Sequence, residues 1–127
     1  MRTREQRQLN VQQQNARVER SLRAEALYWR EHGVPEALLR CAKELGIRWE
    51  MSIVIDLDTD YPGSLSGVLV SQDARFIEFD IDTDTDGVVQ VHRWTDVTSM
   101  QNFNEHNAGT GVGQGALALR VLSELTT

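Results

Sequence analysis

Residues 49–58 read Trp49-Glu50-Met51-Ser52-Ile53-Val54-Ile55-Asp56-Leu57-Asp58. Trp49, Met51, Ile53, Ile55 and Leu57 alternate with Arg48, Glu50, Ser52, Val54 and Asp56. A period of two over this length predicts a β-strand with one buried and one solvated face. Downstream, Asp60-Tyr61-Pro62-Gly63 is turn chemistry, and a second strand is expected over about 65–71. Gln72-Asp73-Ala74 makes a short connection to a third strand at 75–82, with Ile77, Phe79 and Ile81 inward and Glu78, Asp80 and Asp82 outward. Asp86-Gly87 predicts a hairpin, and a fourth strand follows over about 88–95. Such short connections allow only antiparallel neighbours, so the four strands form a meander.

Upstream the period changes to 3.6. Val18, Leu22, Ala26 and Trp29 lie on one face of a helix spanning about 4–31, closed by Gly33. Pro35 suits the first position of a second helix whose stripe is Leu38, Ala42 and Leu45, with Gly46 just past its end. A polar loop from Asp96 to about Gly113 leads to a last helix, 114–125, with Leu117, Val121 and Leu125 in register. The fold class is α+β, in the order α-α-β-β-β-β-α. The 127 residues form a single domain, 1–127, in which 1–31 is a long basic helix and 47–127 the sheet plus closing helix. One sheet face is expected to be apolar and covered by helices.

Composition narrows the classes. No apolar run approaches the ~18–20 residues that cross a bilayer, so no membrane partner is expected. The first residues, MRTREQRQLNVQQQ, lack the apolar segment of a secretory signal. Cys41 is the single cysteine, which excludes an intrachain disulfide and a Cys-cluster zinc site. A cytoplasmic location is the expectation. The net charge of −6 hides an asymmetry: residues 1–30 carry seven basic and three acidic side chains, and the other 97 carry six basic and sixteen acidic ones. The basic helix, Arg2 to Arg30, is therefore a candidate for self-association or for an acidic partner.

In a meander the first and third strands run the same way, so their C-terminal ends share one edge. Asp56, Asp58 and Asp60 end the first, and Asp80, Asp82, Asp84 and Asp86 end the third. Seven carboxylates at one edge repel one another, and no basic neighbours are expected locally. Three readings of this edge are open. One is a metal ion, since Asp82-x-Asp84-x-Asp86-Gly87 matches the first half of an EF-hand loop. However, Arg93 stands where that loop needs a bidentate Glu, so no metal or other cofactor is expected. The second is a basic protein partner. The third is turn chemistry and edge protection alone.

Gly109-Thr110-Gly111-Val112-Gly113-Gln114-Gly115 precedes the last helix. Backbone amides at Gly111, Gly113 and Gly115 are candidate anion-binding groups, although neither Gly-Lys-Ser/Thr nor a strand-linked G-x-G-x-x-G is present. Close packing at Gly115 is the other reading. His32, His92 and His106 share no catalytic spacing with a nucleophile, and H-E-x-x-H and G-x-S-x-G are absent. No catalytic residues are expected, and the chain is not read as an enzyme.

The acidic meander Trp49–Trp94, with Asp56–Asp60 and Asp80–Asp86, then Asn107–Gly115 and a short closing helix, resembles small cytoplasmic immunity proteins of bacterial polymorphic-toxin and contact-dependent inhibition systems. The resemblance implies stoichiometric binding to a toxin domain, an inhibitor without catalysis. The alternative is a phage or mobile-element accessory protein that binds nucleic acid or a nucleotide through the basic helix or the glycine-rich loop.

Overall fold

In the computed structural model, which describes residues 3–59, 61–97, 100–106 and 115–126, the order is α1 (Arg4–His32), α2 (Glu36–Glu44), β1 (Ser52–Asp58), β2 (Ser64–Ser71), β3 (Arg75–Thr83), β4 (Val89–Val97), α3 (Met100–His106) and α4 (Gly115–Thr126). The strands form one antiparallel sheet in the order β1-β2-β3-β4, the meander expected from the short turns.

Thr3 starts α1 with a capping box. Its Oγ1 accepts from the Gln6 amide at 3.2 Å, and Gln6 Oε1 accepts from the Thr3 amide at 3.0 Å. At the other end Gly33 takes φ +81°, and His32 Nδ1 lies 2.9 Å from the Tyr28 carbonyl. Only the second half of α1 is buried, through Leu22 and Ala26. Pro35 stands just before α2 rather than inside it, and Cys41 replaces Leu45 in the buried stripe with Leu38 and Ala42. Leu45 itself is 47% exposed.

The sheet departs from expectation in three ways. First, Trp49–Met51 is a 3-10 turn and β1 begins at Ser52, whose Oγ donates to the Arg48 carbonyl at 2.7 Å. Second, both sheet faces are covered. Ile53, Ile55, Val68, Val70 and Phe76 pack beneath α1, α3 and α4, whereas Val54, Leu57, Leu69, Ile77, Phe79 and Ile81 pack beneath α2 and its flanks. The run Ser52–Ile55 is buried throughout, as befits a strand enclosed on both sides.

Third, β1 carries a bulge. Val54 pairs with Leu69 and Asp56 with Val68, leaving Ile55 without an opposite residue. The extra residue reverses the alternation, so Leu57 joins the α2 core instead of lying beside Ile53 and Ile55. Gly67 makes room for it: a β-carbon there would overlap the Asp56 carbonyl oxygen and stand 3.0 Å from Leu57 Cα.

Residues 100–106, read from sequence as loop, form α3. The helix seats Phe103 on Phe76, with ring centroids 4.3 Å apart and planes 17° off parallel. Asn104 Oδ1 accepts from the Gly115 amide at 2.7 Å and so caps the start of α4. α4 packs along α1, where Arg23 bridges Glu19 (3.3 Å) and Glu124 (2.7 Å).

Candidate functional site

Past the bulge, the α1/α4 face of the sheet turns from apolar to acidic. Cross-strand register arranges it in rows: Asp56, Val68, Glu78 and Thr95, then Asp58, Ser66, Asp80 and Arg93, then Ser64, Asp82 and Gln90. Asp58 and Asp80 therefore sit level, two strands or about 10 Å apart. Without the bulge, Asp56 and Asp58 would point to the α2 face, away from Asp80 and Asp82. The insertion of one residue assembles the acidic face.

The carboxylates on this face differ in their surroundings. Glu78, expected in solvent, is 3% exposed, and Arg93 Nη2 lies 3.7 Å from its Oε2. Asp82 Oδ2 meets His92 Nε2 at 2.6 Å. Local cations are thus present, contrary to the sequence expectation. A second bulge, at His92 in β4, brings them in by moving Arg93 opposite Asp80. Asp96, nearby on the same strand, accepts two hydrogen bonds from the Arg75 guanidinium at 2.6 and 2.8 Å. Asp80 has no ion pair among the described residues. Asp56 is solvent-exposed, yet its carboxyl is held above the ordinary carboxylate range. Partial desolvation contributes most, followed by the charges of Glu25 and Asp58.

Asp84 and Asp86 belong to the β3–β4 turn. Asp84 Oδ1 accepts from the Asp86 amide at 2.9 Å and the Val88 amide at 2.8 Å, and Gly87 takes φ +81°. These two are explained by turn geometry, and the half EF-hand pattern is a hairpin here. Asp60, Gly111 and Gly113 lie outside the described residues. The Gly115 amide is already engaged by Asn104, and a β-carbon at Gly115 would stand 2.7 Å from Met100 Cγ and 3.3 Å from Phe76 Cζ. Close packing therefore accounts for this glycine.

Sequence reasoning missed Glu25 and Glu78. Glu25 reaches the face from α1, accepting from Trp29 Nε1 at 2.9 Å. Nothing in the sequence places α1 over β1. Arg93 and His92 were more accessible, since a hairpin turning at Asp86-Gly87 must bring residues 90–93 opposite 80–82.

Burial raises the Cys41 thiol above its usual range, the largest of its influences, which makes it a poor nucleophile. Among the described residues the Asp82–His92 pair has no third side chain hydrogen-bonded to it, and no helix is long and apolar enough to cross a membrane. No protein-family model matches the chain, and no curated protein or solved structure matches it either.

Proposed function

We propose that this protein is a non-catalytic interaction module that binds and neutralises a basic protein partner through the acidic half of its α1/α4 sheet face, in the manner of toxin immunity proteins. One observation carries the reading: Asp56, Asp58, Asp80 and Asp82 share one sheet face, on which the Asp56 carboxyl is held above its ordinary range by partial desolvation first and then by the charges of Glu25 and Asp58. A cationic surface placed there relieves like-charge repulsion and speeds encounter. Asp84 and Asp86 contribute long-range charge, while their turn sets where they stand.

The test uses a fluorescent nona-arginine peptide as the cationic probe. The variant Asp56→Asn/Asp58→Asn/Asp80→Asn/Asp82→Asn is compared with Glu36→Gln/Glu44→Gln, which neutralises α2 instead. At low salt the quadruple variant should bind at least about tenfold more weakly, while the α2 variant should bind like the parent. Equal losses in both would reduce the effect to net charge and remove the site. A protein that binds duplex nucleic acid more tightly than the peptide would favour the accessory-protein reading.

A further inference from the structure

We propose that the protein self-associates as a two-fold dimer in which the basic arm of α1 from each copy docks on the acidic sheet face of the other. The proposal rests on the reading of that face as a surface for cations, and it names a second copy of this chain as an occupant.

The arm is the first half of α1. Every residue from Thr3 to Gln14 is exposed, with Leu9 at 53% and Val11 at 57%. Residues 4–14 of the helix reach about 16 Å from the body. Such a segment is marginal when it stands alone in water. It is polar all round, and between residues 4 and 18 it has no oppositely charged pair at i,i+4 to hold it. Its side-chain support among the described residues is the capping box at Thr3. A helix of this kind gains its order from what it lies against.

Charge identifies the occupant. Among the described residues Arg4, Arg7, Arg17 and Arg20 make no ion pair, although Arg23, one turn further on, makes two. On the body, Asp56 and Asp80 make none either. Among the described residues these arginines and these aspartates therefore form no ion pair with one another. Across four strands the acidic face is about 15–20 Å wide, a match for three to four turns of helix. Reciprocal exchange uses the same contact twice and closes on itself, so it yields a dimer rather than a filament. The second contact then forms at high effective concentration. Nucleic acid fits less well, because the residues beyond the first thirty carry sixteen acidic and six basic side chains and would repel it. In this arrangement the arm holds the face until a stronger cationic partner displaces it.

The decisive experiment is charge exchange on the full chain, read by sedimentation velocity. Two variants are made, Arg4→Glu/Arg7→Glu in the arm and Asp56→Lys/Asp80→Lys on the face, each checked for a parental circular dichroism spectrum. The parent should be dimeric at about 20 mM salt and shift toward monomer at about 500 mM. Each variant alone should dimerise at least about tenfold more weakly, and an equimolar mixture should recover dimer at the parental level, since in the mixed pair one contact keeps the parental sign and the other is restored with reversed sign. A parent that stays monomeric at low salt overturns the proposal, as does a dimer that either variant leaves intact or a mixture that fails to recover. If the parent is monomeric but nona-arginine still binds the face, the reading of the face stands and the dimer falls. If the arm retards duplex DNA and the chain remains monomeric, the arm serves nucleic acid.

Discussion

The two ends of the α1/α4 sheet face are made by the same four strands and have opposite chemistry. At one end Ile53, Val70, Phe76 and Val97 lie across from one another beneath helices, and Phe103 stacks on Phe76. At the other, Asp58, Ser66, Asp80 and Arg93 occupy the corresponding row, with Asp58 and Arg93 exposed and Ser66 and Asp80 part-exposed. Both ends are paired across all four strands, with the Ile55 bulge between them, so backbone pairing does not by itself distinguish them. Helix cover does. Where α1, α3 and α4 lie, apolar area leaves water and stabilises the fold. Where they end, the outward positions of the strands carry carboxylates, which bury little apolar area.

The sharpest way to break this division is at the covered end. Phe76 is fully buried between the sheet and Phe103. Phe76→Ala should cost about 3–5 kcal/mol, seen as a lower denaturant midpoint, because transfer and cavity terms add. Replacing Asp80 by Asn in the opposite row should move stability by less than about 0.5 kcal/mol. Comparable losses at both ends would show that the acidic end is structural after all.

Gly67 tests the joint between the ends. Gly67→Ala drives a β-carbon into the Asp56 carbonyl. The expected cost is about 1–3 kcal/mol in chemical denaturation. Binding of nona-arginine should weaken as well, since strain at Gly67 falls on the bulge that carries Asp56 to the acidic face. A destabilised variant that binds at full strength would separate the bulge from the site.

The arm should matter least to folding. In removing residues 1–14 every described side chain lost, from Thr3 to Gln14, is an exposed one, and the free energy of unfolding should stay within about 1 kcal/mol of the parent. Removing 1–31 strips Leu22 and Ala26 from the core and should leave no cooperative transition. If the 1–14 deletion also unfolds the chain, the arm belongs to the body.

Much of this architecture was legible before the structure. The period switch near residue 49, the turn at Asp86-Gly87 and the stripe Val18–Trp29 gave the element order and the meander. Bulges were not legible. Whether Ile55 continues the alternation or is squeezed out depends on Gly67, which lies opposite Leu57 and against the Asp56 carbonyl, a contact between strands with no signature in either strand alone. That one residue sent Leu57 to an α2 core that Val54, Leu69, Ile77, Phe79 and Ile81 already form. α3 was hidden for a different reason. Its seven residues carry one large buried side chain, Phe103, too few for a period to be counted. At the acidic face the aspartates were visible by composition, but their division into face and turn was a matter of register and of the Asp84 hydrogen bonds.

Asp56 gives the finest test, because it sits where the covered and open ends meet. Its carboxyl is held above the ordinary range by desolvation first and then by Glu25 and Asp58, so the folded protein binds this proton more readily than the unfolded chain. The sign follows from linkage: the contribution favours folding below the ordinary carboxyl range and is lost as pH rises through the raised value. At neutral pH the charged Asp56 is therefore a small burden, and Asp56→Asn should raise the melting temperature. Because the side chain is exposed and solvent screens it, the gain should stay below about 1 kcal/mol. As pH falls toward about 3, Asp56 is protonated in both states and the two proteins should melt together. Added salt at neutral pH should narrow the gap by screening Glu25 and Asp58, leaving the part due to desolvation. A variant that is less stable than the parent at pH 7 would show that Asp56 makes a favourable contact on the face, and the like-charge account of the acidic end would have to be given up.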